Sequence, residues 1–247
     1  MKGHAFQNCS SLVPVNIPQS VKTFEDDVFS GCTRFAPAVL DLSTVEKMEN
    51  GVFAHTGVKS VITGEKLTAL PNSTFEGCTK LQSIEIGSNI AEVKDLCFMG
   101  CIALESIDIS SATTVGGAVF TSCHNLKSVI LSDALTELST DLFGGCSSLT
   151  NITIPAVVTT IGINAFANCS SLTEITIPAA VTTIDENAFA GCRLARVINL
   201  NPTPQIINEN VFSDRENIAL KVPDETAVAD YRATDVWKEF KSIEIYY

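Results

Sequence analysis

A phenylalanine returns at positions 6, 29, 53, 75, 98, 120, 143, 166, 189 and 212, at intervals of 22 to 24 residues over almost the whole chain. A unit this short cannot by itself bury an aromatic ring, a leucine and a pair of β-branched residues. Stacked units can, because each covers the apolar side chains of the next and together they form continuous rows. The agreement between copies is close: Asn151 to Ala167 reads NITIPAVVTTIGINAFA, and Glu174 to Ala190 reads EITIPAAVTTIDENAFA.

Aligned on phenylalanine, the units share the pattern A-F-x-x-C-x-x-L-x-x-[IV]-x-[IL]-P-x-x-[IV]-x-x-[IL]-x-x-x. Each coil takes the number of its phenylalanine, so Phe6 opens coil one and Phe212 coil ten. The [IV]-x-[IL] step has period two and β-branched residues, which predicts a short strand with one buried face. Its inward pairs are Ile84/Ile86, Ile107/Ile109, Ile152/Ile154, Ile175/Ile177 and Ile198/Leu200. Pro18, Pro155 and Pro178 follow such steps, and a residue without an N–H ends ladder pairing there. A second apolar pair, Val158/Ile161 or Val181/Ile184, carries the chain across the back, and A-F-x-x-C makes a tight helical or 3₁₀ turn that feeds the next strand. Positions between the apolar ones are expected to drift.

Changes of length fall in the connections. FAHTGVKSV lacks the cysteine and is one residue short before Val58, with Gly57 as the permissive backbone of a tighter turn. LDLSTVEKM and IDISSATTV shorten the link from strand to back by one residue, and extra residues between Phe35 and Leu40 compensate in the first.

With 247 residues, 45% of them hydrophobic, the chain is sized for one large core. Its 28 acidic and 16 basic residues give a formal charge of −12, which works against nucleic-acid phosphates and anionic lipid headgroups and favours basic or neutral partners. Leu142 to Thr173 carries no charge, yet Pro155 and frequent Gly, Ser, Thr and Asn make it a solvated repeat rather than a membrane span. Met1-Lys2-Gly3-His4 runs into repeat-like sequence without an apolar leader core, and a start within a coil leads us to expect upstream sequence.

The residues offer little for catalysis. Eight of the nine cysteines, at 9, 32, 78, 101, 123, 146, 169 and 192, hold one repeat position, and Cys97 stands apart. Spacings of 22, 23 or 46 are unlike the paired short spacings of zinc sites, so we expect a column of buried, reduced thiols rather than a metal centre or a disulfide framework. His4, His55 and His124 lie in different coils without a Ser-His-Asp or Cys-His order, and no phosphate loop, dinucleotide fingerprint or metalloprotease motif occurs. The expectation is a non-enzymatic protein without cofactor, metal or catalytic residues.

AFANCSSLTEITIPAAVTTIDENAF, and its counterparts from Ala5 to about Phe212, resemble the BspA-like leucine-rich repeat family of roughly 23-residue repeats. The resemblance implies a right-handed leucine-rich-repeat solenoid of about ten coils with one parallel β-sheet face. It divides the chain into a solenoid over residues 1–212 and a capping segment over 213–247. In LKVPDETAVADYRATDVWKEFKSIEIYY we expect a strand at Leu220/Val222, a helix over Ala227 to Trp237, a last strand at Ile243/Ile245, and Trp237 and Phe240 as plugs over the open end. Family members occur on surface and secreted proteins of bacteria. This implies an adhesin-like, protein-binding scaffold at the cell surface, or else an accessory targeting domain of a larger envelope protein or enzyme.

The outward side of the strands is where a partner would bind. Its middle column is expected to run through Asn16, Asp41, Ile62, Glu85, Asp108, Ile130, Thr153, Thr176, Asn199, Lys221 and Glu244. A second column runs from Pro14 and Val39 through the serines at 60, 83, 106 and 128 to Asn151, Glu174 and Val197. The candidate binding face is Asp41, Ile62, Glu85, Glu105, Asp108 and Ile130, where acids and aliphatics mix. The expected partner is a host matrix or cell-envelope protein, with polysaccharide as an option, and neither nucleic acid nor membrane insertion.

Overall fold

A computed structural model describes all of residues 1–247. The chain is a parallel β-solenoid whose core is the stacked phenylalanine row. From Phe6 to Phe212 consecutive rings lie nearly parallel, with centroids 5.0 to 5.9 Å apart. Offset stacking of this kind adds to the burial of each ring, which itself contributes roughly 1.5–3 kcal/mol. The rings from Phe29 to Phe212 are buried, and the leucine and strand rows join them in one continuous core.

The most regular part of each coil is the corner around this phenylalanine. The N–H groups two residues before it, at it, and two residues after it all donate to the next coil, as Ala118, Phe120 and Ser122 donate to Thr140, Leu142 and Gly144. Alternate N–H groups can point along the solenoid axis because the residues two before and two after the ring take left-handed backbone angles, as at Leu96, Ala118, Asn164 and Asn168. The second position after the ring is therefore not free to drift. It is Gly at 31, 77, 100, 145 and 191 and Asn at 8 and 168, the types that tolerate positive φ, with His55 and Ser122 holding the same angle in coils three and six.

Front strands form where the period-two step predicts them, at Leu40–Asp41, Ser60–Ile62, Ser83–Glu85, Ser106–Asp108, Ser128–Ile130 and Glu174–Ile177. The front sheet is nevertheless in pieces: one piece joins coils two to four, another coils five and six, and the last runs from coil eight to Ser242–Ile245. In coil seven Ile154 is buried and Ile152 half-buried as expected, but Asn151–Ile154 forms no strand. The second apolar pair does more than cross the back. It builds another parallel row of two-residue strands, among them Ala69–Leu70, Glu92–Val93, Thr160–Ile161 and Thr183–Ile184.

Coil nine corrects the sequence reading. Its strand Arg196–Asn199 pairs Val197 with Ile175, Ile198 with Thr176 and Asn199 with Ile177. Val197 and Asn199 therefore take the inward places that the repeat pattern gives to Ile198 and Leu200 and are fully buried, while Ile198, level with Thr176 in the register, is buried as well and Leu200 is half-buried. One residue separates Cys192 from Leu194 where two separate Cys169 from Leu172, so the frame advances by one, and the loop through Pro202 and Pro204 restores it before Phe212. Gly57 also has another reason than the one expected. Its φ is ordinary, and a Cβ there would lie 2.7 Å from the Thr33 carbonyl oxygen, so the turn is tight by close approach.

The cap carries the strand Ala219–Val222, a helix Glu225–Ala233, a short turn of 3₁₀ helix Trp237–Glu239 and the strand Ser242–Ile245. Asp224 starts the helix by accepting the Ala227 N–H at 2.9 Å, an N-cap that satisfies one of the free helical donors. Trp237, Tyr231 and Phe240 are buried, and Trp237 and Phe240 close the ring row against Phe212.

Candidate functional site

Successive side chains of a strand face opposite ways, so each inward residue on the front leaves its neighbours in solvent. The backbone register places Asp41 beside Ile62 and Ile62 beside Glu85 in one piece of sheet, and Asp108 beside Ile130 in the next. Five of the six expected residues thus form one outward row, interrupted between Glu85 and Asp108. Ile130 is 57% exposed, Ile62 half-buried, and the three acids exposed. Across the interruption an open cleft of about 710 Å³ is flanked by Glu65, Glu85 and Asp108 and floored by Ile84 and Ile86.

Glu105 does not belong to the row. It lies one step before the strand and forms an ion pair with Lys127 of coil six at 2.8 Å. Other front acids are matched in the same way, Glu174 by Arg196 at 2.8 Å and Glu244 by Lys221 at 2.6 Å. Asp41, Glu85 and Asp108 form no ion pair. The row is therefore an uncompensated negative strip interleaved with exposed Ile130 and half-buried Ile62.

Two of these acids also have a local task. Asp41 Oδ1 accepts the Ser43 N–H at 2.9 Å, and Asp108 Oδ1 accepts the Ser110 N–H at 2.9 Å. The bonds from Ser43 hold the Asp41 carboxyl below its ordinary range. Both turns occur in the coils whose connection is one residue short, so each carboxylate closes the tighter bend after its strand. The signal was present in the sequence as a shared Asp-x-Ser in LDLSTVEKM and IDISSATTV.

The thiol column is built from the corner turn. From Cys32 onward each column thiol donates to the phenylalanine carbonyl of the preceding coil, at 2.9 to 3.2 Å. Coil three puts Thr56 in the cysteine's place, where its hydroxyl donates to the Phe53 carbonyl at 2.8 Å. Burial pushes the Cys78 thiol up to about 11 and the Cys123 thiol to about 12. All nine cysteines are free, but Cys9 is exposed and so departs from the expected buried column. It lies in the first coil. Cys97, the stray, occupies the apolar position before the ring and is buried there.

His55 occupies the left-handed place after Phe53, with its ring 3.9 Å from Glu76. His124 Nδ1 lies 3.0 Å from the Gly145 carbonyl oxygen, and His4 lies 3.7 Å from Asp27 in the first coil. The three rings stay in separate coils. No helix is long and apolar enough to cross a membrane.

The sequence matches the family model for the BspA type leucine rich repeat region over residues 1–127 and 92–219, in six copies. Among solved structures, a leucine-rich repeat protein from Bacteroides ovatus is 24% identical, with a TM-score of 0.61 over 99% of this chain and 80% of that one. A leucine-rich repeat protein of T. pallidum is also 24% identical, with a TM-score of 0.53 over 61% of this chain and 72% of that one. At these identities the likeness is one of fold. Among curated proteins none matches the sequence.

Proposed function

Because the chain belongs to the BspA-type leucine-rich repeat family, we propose that it is a non-enzymatic scaffold that binds a macromolecule through the front face of coils two to six. The partner is a host matrix or cell-envelope protein, met at the cell surface or after secretion. The observation that carries this reading is the unpaired row: Asp41, Glu85 and Asp108 without counter-ions, interleaved with Ile62 and Ile130. Apolar contact with charge to orient it is what a protein interface needs, and a chain of net charge −12 draws a basic surface toward this strip.

Binding is tested by immobilising a panel of host extracellular-matrix proteins beside surface polysaccharides and measuring retention at rising salt. The expected result is retention by a protein that weakens with salt. The triple substitution Asp41→Asn, Glu85→Gln and Asp108→Asn removes the charge yet leaves acceptors for the Ser43 and Ser110 N–H groups. It should lower affinity at least tenfold and change stability by less than about 1 kcal/mol, as expected of surface substitutions. Binding that ignores this triple substitution but is lost on changing the back row would overturn the assignment. Retention by polysaccharide alone would replace the protein partner.

A further inference from the structure

Coils four to eight carry Ile86, Ile109, Leu131, Ile154 and Ile177 at the second inward position of the front step, and coil nine carries Asn199. The one-residue frame advance before Leu194 is what turns this amide inward, where it is fully buried. Its Nδ2 donates to Gln205 Oε1 at 2.9 Å, and Gln205 Nε2 donates to the Val181 carbonyl at 2.8 Å. Asn201 Nδ2 reaches the same carbonyl at 2.8 Å. Two groups of the cap complete the set: the Trp237 indole N–H donates to the Gln205 carbonyl at 2.8 Å, and the Tyr231 hydroxyl donates to the Asn201 carbonyl at 2.9 Å. No buried side-chain nitrogen or oxygen is left without a partner.

We propose that this amide, phenol and indole network is a latch. It fixes the position in which the helix and the Trp237 turn dock on coil nine, which the ladder between Ala219–Val222 and Ser242–Ile245 does not set, and its loss frees the residues after Val222 while the solenoid before them stays coiled. Apolar contact between Phe212 and the Trp237 and Phe240 rings is non-directional and tolerates sliding. A buried N–H or O–H that misses its carbonyl has no water to replace it, so displaced positions of the cap are disfavoured. The interior coils each hold on to two neighbours, whereas the cap holds on to one side only, so it is the unit that opens first.

Trp237 is the single tryptophan of the chain, so its fluorescence reports on the cap. In the full-length chain, Asn199→Ile combined with Gln205→Leu removes the amides that hold the loop from Asn201 to Gln205, whose main-chain carbonyls receive the Tyr231 and Trp237 donors, and leaves apolar groups of similar size. Acrylamide quenching of Trp237 should then rise several-fold, and amide exchange over residues 225–245 should quicken about tenfold or more, with coils three to eight unchanged. Tyr231→Phe removes one hydroxyl and should quicken exchange in the same segment about fivefold, the effect of one hydrogen bond. It decides the matter alone if the double variant does not fold. Trp237 as well shielded as in the parent would mean that apolar packing seats the cap. Exchange that quickened equally in coils three to eight would mean that cap and solenoid open together. Either result overturns the latch.

Discussion

The two ends of the solenoid carry the same row of rings and treat it differently. At the C-terminal end Phe212 is 2% exposed, with Trp237 and Phe240 against it, and Arg232 donates to the Ile243 carbonyl at 3.0 Å on the last strand. At the N-terminal end Phe6, Leu12, Ile17 and Val21 are only partly buried, Val13 and Val15 stand in solvent, and coil one contributes no front strand. Coil one has the repeat's sequence but not its full structure. A repeat of this kind takes its order from two neighbours, and what the cap supplies is a second neighbour.

The largest test of that contrast uses alkali. The folded chain keeps buried thiols protonated, Cys78 up to about 11 and Cys123 up to about 12, whereas an unfolded chain releases them near pH 8.5. The stabilisation is whole below pH ~8.5 and is lost as the pH rises toward those folded values, by roughly 1.4 kcal/mol per unit for each such thiol. Melting under reducing conditions should fall steeply above pH ~9, and the chain should unfold before pH ~11. Cys9, exposed in the first coil, should be alkylated long before the eight buried thiols.

Next in size is removal of the cap. Deleting the residues after Val222 uncovers the row that Trp237, Tyr231 and Phe240 shield, at about 5 kcal/mol or more by their summed burial. Light scattering should show association. A truncated chain that stays monomeric with an unchanged melting temperature would remove the contrast between the ends.

Phe166→Ala should cost about 3–5 kcal/mol, since it opens a cavity between two stacked rings, and Phe6→Ala only about 1 kcal/mol, since Phe6 stacks on one ring and is half in solvent. Equal losses in chemical denaturation would mean that the first coil is as well packed as the middle. The smallest effect belongs to the corner that every coil shares. Ala118 has φ 53°, so Ala118→Gly should stabilise by about 0.5 kcal/mol, strain relief exceeding the added freedom of the unfolded chain. A calorimetric melt that fell instead would show that the corner's left-handed residues are not strained.

Much of this was legible because burial writes itself as period. The ring row, the strands and the plug at Trp237 all follow from where apolar residues recur. The corner was less legible, since its requirement is a backbone angle, and Gly, Asn, His and Ser at one place look like variation until positive φ is seen as their common property. The slip at Asn199 was missed because Ile198 and Leu200 offered a plausible apolar pair in the wrong frame. In the candidate face the row from Asp41 to Ile130 could be read from alternation. The pairing of Glu105 with Lys127 could not, since those residues meet only across coils.

The broken ladders have a mechanical consequence. The front is unpaired between coils four and five and again on both sides of coil seven, and the back is unpaired between coils two and three and between coils five and six. The gaps never fall at one level: where one face is open, strands on the other are paired, as Glu92–Val93 with Thr114–Val115 behind the cleft at Glu85 and Asp108. It is the bond of a brick wall, in which no joint lies directly over another. A pull along the axis meets no course held by the mortar of neither face, so each opening becomes a place where the rod can flex without becoming a place where it parts.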